Sequence, residues 1–320
     1  MSSRPYAVVL AGGGGTRLWP LSSPNRPKPF LPLLHGRSPL AVTLERLAPL
    51  VPIADTYIVV AANQVQLVRE CAPQIAADHI LAEPVSRNTG AAVALAVIAI
   101  DRADDAVMLV IPADHAVRDD GAWRAALAAA ADHAGREEGA LYTLGVVPTR
   151  PETGFGYIVA DGERVTRFTE KPQRDEAERL IAAGARWNAG TFAWRRDSAR
   201  AALEQFAPTL INGIGEYSTI PAGPIDTFVM EPAAAAGMVR TLPLDCGWSD
   251  IGSWRELRAH LLPRTSMEEI HMEALGGRTI VISNEHGVTA LQPNGAATMD
   301  LEQMSGSDCL LYTSPSPRDS

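Results

Sequence analysis

The chain has 320 residues, of which 46% are hydrophobic, and it carries a formal net charge of −9. This length and apolar content allow a sizeable buried core, while the acidic balance argues against a general nucleic-acid-binding or acidic-membrane surface. Any phosphate ligand must therefore be held in a local cationic pocket, which suits a small-molecule site.

The first predicted element is a buried strand over residues 7–11, and four consecutive glycines at 12–15 follow it. Because glycine has no Cβ, the N–H groups of such a run can close around phosphate oxygens. The spacing excludes the two commonest phosphate loops. No Gly-Lys-Ser/Thr follows the glycines, and Arg17 and Leu18 stand where the dinucleotide fingerprint needs glycine. A phosphate loop with a cation at its end is the first hypothesis, and a flexible turn is the alternative.

Lysine usage supports the functional interpretation. The chain holds 28 Lys and Arg residues, of which only Lys28 and Lys171 are lysines. Lysine supplies a compact point charge that the planar arginine fork does not replace. Two leftover surface lysines are the alternative, but both lie beside turns marked by proline or glycine.

Strands and helices alternate over the first half. A proline-rich loop over residues 20–39 ends at Ser38 and Pro39, which predict a helix N-cap and first position. Further strands are predicted at 57–61, 80–82, 107–111 and 141–147, with helices at 64–71, 91–101 and 121–134. This alternation predicts an α/β fold with a mostly parallel sheet covered on both faces. Ligands gather outside the carboxyl ends of such strands, so the loops at 12–17, 83–90 and 112–115 should converge there.

The second half is less regular. Residues 155–160 and 164–169 predict an antiparallel pair joined at Asp161 and Gly162. A helix over 175–183, a strand over 238–244 and a helix ending near 262 follow. Two short strands are predicted at 279–283 and 288–291. The last residues, 305–320, are of low complexity, unlike the rest, and are expected to carry no function and to be disordered or foreign.

Cysteine usage and hydropathy bear on the compartment. Three cysteines without Cys-x-x-Cys spacing indicate neither a disulfide framework nor a zinc site, so a reducing cytoplasm is expected. The most apolar later run, at 91–100, is too short to span a bilayer, and no long apolar segment opens the chain. Neither a membrane nor a nucleic acid is an expected partner.

Eight segments, in one order along residues 5–260, resemble the mannose-1-phosphate guanylyltransferases (GDP-mannose pyrophosphorylases) of the sugar-nucleotide pyrophosphorylase superfamily. Each segment alone is weak evidence for this family, but the whole set in this order is specific for it. They are Gly12-Gly13-Gly14-Gly15-Thr16-Arg17 through Leu21, Pro27-Lys28, Glu83-Pro84 with Arg87-Asn88-Thr89, Pro112-Ala113-Asp114-His115, Gly154-Phe155-Gly156-Tyr157-Ile158, Glu170-Lys171-Pro172, Asn188-Ala189-Gly190 and Gly247-Trp248-Ser249-Asp250.

The resemblance implies a Rossmann-like fold of the nucleotide-diphospho-sugar transferase type, with a nucleotidyltransferase domain over 1–262 and a small β region over 263–304. That β region is expected to be shorter than the family's. The chain also has Ser23 where the family usually has arginine, with Arg26 nearby as a replacement. A homodimer is left open.

The reaction implied is GTP plus α-mannose 1-phosphate giving GDP-mannose and pyrophosphate, with Mg²⁺ as cofactor. A sugar phosphate is already largely a dianion at neutral pH, since its second pKa is about 6 by analogy with phosphorylated side chains. No general base is therefore needed. Catalysis should consist of positioning and electrostatic stabilisation.

The resemblance also implies residue roles. Arg17 and the loop would hold the β- and γ-phosphates, Lys28 would neutralise the leaving pyrophosphate, and Lys171 would bind the sugar's phosphate. Asp114 and Asp250 would hold Mg²⁺, with His115 more a packing or outer residue than a ligand. Gly154, Glu170 and Asn188 would contact the sugar. The nucleotide-binding set is Leu10, Gly12, Gly13, Gly14, Gly15, Thr16, Glu83, Arg87, Asn88 and Thr89.

Several alternatives stay open. Glu83 is expected to accept hydrogen bonds from guanine, while Arg87 either reads the base or orients the loop. The alternative to a Mg²⁺-binding role is an ordinary helix cap or turn for Asp114. For Asp250 it is a turn position between packed tryptophans. At the level of function, the rivals are a pyrophosphorylase for another hexose 1-phosphate and nucleotide pair, such as glucose 1-phosphate with UTP or dTTP, a non-catalytic sugar-nucleotide-binding regulatory relative, and a metal-dependent glycosyltransferase.

Overall fold

The structure, a computed structural model, describes residues 4–13, 18, 22–34, 36–253, 256, 257 and 260, together with three strands between 280 and 299. Nine strands of this described part form one sheet. They are β1 (Tyr6–Leu10), β2 (Thr56–Ala61), β3 (Ile80–Glu83), β4 (Val107–Pro112), β5 (Leu141–Val146), β6 (Gly156–Asp161), β7 (Arg164–Glu170), β8 (Arg186–Arg195) and β9 (Val239–Pro243).

Helices connect the strands. They are α1 (Pro39–Leu47), α2 (Val65–Cys71), α3 (Asn88–Ala99), α4 (Asp120–Arg136), α5 (Arg174–Ala182), α6 (Arg196–Phe206), α7 (Pro208–Asn212) and α8 (Glu231–Ala235). A short 3₁₀ helix covers Lys28–Phe30, and a π-helical turn, Asp226–Met230, leads directly into α8. A separate antiparallel sheet contains β10 (Ile280–Asn284), β11 (Gly287–Gln292) and β12 (Gly295–Met299).

The large sheet has the order β3-β2-β1-β4-β8-β5-β9-β7-β6 and is mixed. Its first four strands are parallel, as the sequence predicts, and β5 with β9 is also parallel. The second half adds antiparallel pairs, because β8 runs between β4 and β5 and because β6 and β7 form a hairpin. Such a hairpin needs only a tight turn, here with Gly162 at φ +58°, whereas parallel pairs need a crossover.

Apolar residues cover both faces of the sheet. Along β4, Met108 and Val110 lie in the core packed by α3 and α6, whereas Leu109 and Ile111 lie in the core packed by α1 and α4. Successive side chains of a strand point to opposite faces. The unbroken apolar run of β4 is therefore that of a central strand buried on both sides.

Helix α3 begins earlier than the sequence predicts. Residues 88–90, expected in a loop, form its first turn. Asn88 enters it at φ +69°, a left-handed conformation that asparagine tolerates better than most residues. A Cβ on Gly90 would lie 2.9 Å from the carbonyl oxygen of Gly223, so this position needs glycine.

Among the described residues, no helix is both long and apolar enough to cross a membrane. Strands β10 and β11 coincide with the two short strands predicted there. The domain boundaries at 262 and 304 stay predictions. Most of the helix expected to end near 262, and the whole tail over 305–320, lie outside the described residues.

Candidate active site

The predicted loops leave the sheet at one edge. Leu10 pairs with Pro112 across β1 and β4, and the N–H of Ala113 donates to the carbonyl of Leu10 at 2.9 Å. Gly12 and Asp114 therefore follow neighbouring strands side by side. Glu83, at the end of β3, pairs with Ala61 on β2 at the same end of the sheet.

A two-residue bridge brings Asp250 to the same place. The backbones of Ala116 and Ser249 exchange hydrogen bonds of 2.8 and 2.9 Å. Ala116 lies two residues after Asp114, and Ser249 directly precedes Asp250. Lys28 lies between the two aspartates. Its Nζ is 2.7 Å from Asp114 Oδ2 and donates to the main-chain carbonyl of Asp250. Lys28, Asp114 and Asp250 are called here the acid–lysine cluster.

Burial sets the electrostatics of this cluster. The Lys28 side chain is 6% exposed, whereas that of Asp114 is 32% exposed. A buried ammonium is stable only when it is paired and hydrogen-bonded, and the two aspartates supply both conditions. Asp114 keeps enough exposed surface to meet a ligand. A positive charge is thus fixed next to accessible carboxylate oxygens.

Asp250 is buried in a strained turn. Its Oδ1 accepts from the N–H of Gly252 at 3.0 Å, and Ile251 adopts φ +43°. This conformation is costly for a β-branched residue, and such strain persists only where the surroundings enforce it. The geometry agrees with the turn-aspartate alternative and equally places Asp250 in the acid–lysine cluster.

His115 packs against this cluster. The indole N–H of Trp248 donates to its Nδ1 at 3.2 Å, and the two rings meet edge-on. Because an indole nitrogen is only a donor, Nδ1 is unprotonated and the neutral ring carries its proton on Nε2. Nε2 lies 3.9 Å from Asp114 Oδ1. This placement fits the predicted role of a packing residue behind Asp114.

Among the described residues, no group of three or more His, Cys, Asp or Glu side chains could hold a metal ion. Asp114 and Asp250 are a pair of carboxylates. Such a pair suits a hard cation whose remaining ligands are water and phosphate oxygens. Gly14, Gly15, Thr16 and Arg17 lie outside the described residues, so their predicted roles stay predictions.

Glu83 lies beneath the start of the glycine run. It is buried, one carboxylate oxygen accepts from the Tyr217 hydroxyl at 2.8 Å, and a Cβ on Gly12 would come 3.1 Å from the other. Burial raises the pKa of Glu83, while hydrogen bonds from Tyr217 and the backbone of Arg87 act in the opposite direction. These contacts favour a role in supporting the loop, and guanine reading by Glu83 stays a prediction.

Arg87 and Thr89 contact the chain segment that precedes Asp226. The guanidinium of Arg87 donates to the carbonyl of Ser218, and Thr89 Oγ1 accepts from the N–H of Ile225 at 2.9 Å. Asn88 Oδ1 accepts from the N–H of Thr89 at 2.7 Å. Of the two roles left open for Arg87, orienting the loop is the one these contacts favour.

A second group lies where β6, β7 and β8 adjoin. Lys171 is half exposed, contacts the carboxylate of Glu170 and adopts φ +46°. Asn188 Nδ2 donates to Asp226 Oδ1 at 2.7 Å. Glu170, Lys171, Asn188 and Asp226 are called here the carboxylate–amide cluster. Three of its members are predicted from the sequence, and Asp226 is not.

Gly156 packs against this cluster. A Cβ on Gly156 would lie 2.8 Å from Glu170 Oε2 and 3.4 Å from the Cβ of Asn188, whereas one on Gly154 would meet only Glu152. The sugar contact expected of Gly154 stays a prediction, and Gly156 is the glycine whose backbone lies against Glu170 and Asn188. A sequence signal for Asp226 does exist, because it is the lone charged residue in the run Ile225–Met230.

We expect Tyr217→Phe to lower the free energy of unfolding by about 1–3 kcal/mol, because Glu83 stays buried and loses a donor. Urea unfolding at pH 7 measures the loss. Tyr6→Phe is the matched control, because the buried Tyr6 hydroxyl has no hydrogen-bond partner among the described residues. The lost hydrogen bond stabilises the charged carboxylate. The difference in unfolding free energy between the wild type and Tyr217→Phe should therefore shrink as the pH falls through the folded-state pKa of Glu83. Equal losses in both variants would remove this role of Tyr217.

Comparisons with known proteins agree with the site. A family model described as nucleotidyl transferase matches residues 6–262. The xanthan biosynthesis protein XanB of Xanthomonas campestris pv. campestris is 37% identical over 280 residues, which are 78% of this chain and 58% of the relative. The mannose-1-phosphate guanylyltransferase of Escherichia coli K12 is 35% identical over 293 residues, which are 80% of this chain and 59% of the relative.

Among solved structures, a Thermus thermophilus protein described as a mannose-1-phosphate geranyltransferase superposes with a TM-score of 0.73 at 34% sequence identity. The superposition covers 91% of this chain and 96% of the other. The chain spans a little under three fifths of the length of the curated relatives, 58% and 59% for the two named.

Proposed function

The chain belongs to the nucleotidyl transferase family, and from this premise we propose that it is a mannose-1-phosphate guanylyltransferase, making GDP-mannose and pyrophosphate from GTP and α-mannose 1-phosphate. The observation that carries the proposal is the acid–lysine cluster beside Gly12, where the Lys28 ammonium meets the Asp114 carboxylate and the main-chain carbonyl of Asp250 at the sheet edge. The choice of mannose and guanine is supported by the similarity to the mannose-1-phosphate guanylyltransferase of Escherichia coli.

The proposed step is an attack by a phosphate oxygen of mannose 1-phosphate on the α-phosphorus of GTP. A bond forms between that oxygen and the α-phosphorus, and the bond from the α-phosphorus to the bridging oxygen breaks, so that pyrophosphate leaves with the electron pair. The attacking oxygen carries no proton, so the site needs to hold charges rather than move protons.

The charged residues of the chain suit this demand. Lys28 is held rigidly by two partners, so it can offset charge on the departing pyrophosphate without reorganising. Lys171 is half exposed and follows β7, so it can reach the phosphate of the sugar and orient it toward the α-phosphorus. The two lysines would act on opposite sides of the reacting phosphorus.

Mg²⁺ is the cofactor that we propose, held by Asp114 and Asp250. The donors fit, because both side chains are carboxylates, Lys28 contacts the Asp114 carboxylate and the Asp250 main chain, and Asp114 is partly exposed. Magnesium sites commonly combine one or two carboxylates with substrate phosphates and water. When bound, the ion would supply charge neutralisation on phosphate oxygens. The cytoplasm, where nucleotide triphosphates and sugar phosphates occur, is the compartment proposed, and a homodimer stays a prediction.

A panel of nucleotides and sugar phosphates tests the substrate assignment. Pyrophosphate release is measured with GTP, UTP, dTTP and ATP against mannose 1-phosphate and glucose 1-phosphate, each with Mg²⁺. We expect the highest kcat/KM for GTP with mannose 1-phosphate. A preference for UTP with glucose 1-phosphate would select the rival pyrophosphorylase, and no release with any pair would select the non-catalytic relative.

A further inference from the structure

We propose that Asp226 is a positioning residue of the sugar subsite, acting through the amide of Asn188. The inference rests on the proposed function and deepens it, because the sequence pattern indicates Glu170 and Asn188 and leaves Asp226 out. Asp226 opens the π-helical turn before α8 and lies next to both residues.

The hydrogen bonds of Asn188 fix its amide group in one orientation. Its Oδ1 accepts from the Thr143 hydroxyl at 2.7 Å and from the N–H of Gly190 at 3.1 Å. The N–H of Gly190 is only a donor, so the atom facing it must be the amide oxygen. The amino group is thereby turned toward Asp226, which accepts one of its two hydrogens at 2.7 Å. The other hydrogen is left for a further acceptor.

Gly156 leaves room on one side of this arrangement. Its backbone lies against Glu170 and Asn188, and any Cβ there would meet both side chains. Glu170 thus offers a carboxylate on the same side of Gly156 as the Asn188 side chain. A sugar hydroxyl can both donate and accept a hydrogen bond. The carboxylate can therefore accept from one hydroxyl of the sugar, while the amide N–H donates to a neighbouring hydroxyl. Asp226 holds the amino group of Asn188, while Thr143 and Gly190 hold its oxygen, so the amide is fixed at both ends.

The charges around Asp226 are mostly negative. Glu170 on β7 faces it, Glu231 on α8 accepts from the backbone N–H of Glu170 at 2.8 Å, and Lys171 is the nearest cation. Burial and the charge of Glu170 raise the pKa of Asp226 to about 7. The ionised carboxylate is the stronger acceptor for the Asn188 amide. Affinity for the sugar phosphate should therefore improve as the pH rises through this value.

Steady-state kinetics of Asp226→Ala and Asp226→Asn test the proposal. We expect Asp226→Ala to raise KM for mannose 1-phosphate by about 10- to 100-fold, the effect expected when a hydrogen bond to a charged group is lost. KM for GTP should stay near the wild-type value. Asp226→Asn keeps an oxygen that accepts from Asn188, so it should restore most of the affinity. Asp132→Ala, an exposed aspartate on α4, is the control and should change neither constant.

The pH profile separates positioning from a general loss of structure. The sugar phosphate titrates near neutrality in every variant. We therefore divide kcat/KM for mannose 1-phosphate of the wild type by that of Asp226→Asn at each pH, which cancels the titration of the substrate. We expect that ratio to rise with pH and then level off. A ratio independent of pH, or an unchanged KM in a folded Asp226→Ala protein, overturns the proposal.

The outcomes distinguish this proposal from the function on which it rests. If the wild-type protein fails to turn over GTP and mannose 1-phosphate, the proposed function is wrong. If the wild type is active and the Asp226 variants match it, only the positioning role is wrong. Should Asp226→Ala lose its cooperative thermal unfolding, the pH ratio of Asp226→Asn decides.

Discussion

Lys28→Met is expected to lower kcat for the proposed GDP-mannose formation by about 10³-fold, the scale seen when a fixed cation or donor is removed from a phosphoryl-transfer or acyl-transfer site. The substitution keeps the length and apolar stem of the side chain and removes the ammonium that contacts Asp114 and the Asp250 carbonyl. Lys28→Arg should not restore the rate, because a guanidinium is planar and wider than the ammonium it replaces. Initial rates of pyrophosphate release measure the loss.

The control for Lys28→Met is the removal of another buried cation. The Arg46 side chain is 4% exposed and pairs with Asp120 at 2.6 Å rather than with Asp114 or Asp250. Arg46→Met should cost stability, about 3–5 kcal/mol at most because Asp120 is exposed and can be hydrated, but it should largely preserve kcat. If both variants lose activity equally, Lys28 acts only through the stability of the fold.

The sequence predicts the first half of the fold well because local signals agree there. Ser38 accepts from the N–H of Ala41 and Pro39 opens α1, as the cap pattern requires. The apolar run of β4 similarly indicates a central strand. In contrast, the position of β8 between β4 and β5 depends on pairing between distant segments, which no local pattern encodes.

The helical segment around α8 was not predicted from the sequence, and the reason is local. Pro232 within the run 226–235 indicates a break in a helix, because proline removes an N–H and clashes with the preceding turn. In the structure Pro232 lies in the first turn of α8, where its missing N–H costs nothing, and the π-helical turn precedes it. The role of Asp226 was missed for a different reason, because it depends on contact with Asn188, which is 38 residues away in the sequence.

The acid–lysine cluster was predictable because each aspartate follows a strand in a phosphate-binding α/β pattern and lysine is rare in this chain. The contacts of Arg87 and Glu83 were not predictable. Both depend on residues 217 and 218, far along the chain, which pack against the start of α3 and the end of β3. Sequence order shows which loops reach the edge of the sheet but not which side chains there face a ligand.

Asp250→Asn is expected to reduce kcat by about 10²- to 10³-fold and to raise the Mg²⁺ concentration needed for half-maximal rate. The amide is nearly isosteric, so its oxygen can still accept from the N–H of Gly252, and the main-chain contact with Lys28 is unaffected. The midpoint of thermal unfolding should therefore stay within about 3 °C of the wild type. Only the negative charge at the proposed Mg²⁺ site is removed.

Titrating activity against Mg²⁺ tests the charge directly, with Asp245→Asn as the control, since Asp245 is exposed on the same segment. If Asp250 only shapes a turn, Asn at this position should keep both the rate and the Mg²⁺ dependence of the wild type, because asparagine forms the same turn. If the carboxylate shares the ion with Asp114, the apparent Mg²⁺ affinity must fall in Asp250→Asn and stay unchanged in Asp245→Asn. The two alternatives left open by the turn geometry thus differ in a quantity that a single titration measures.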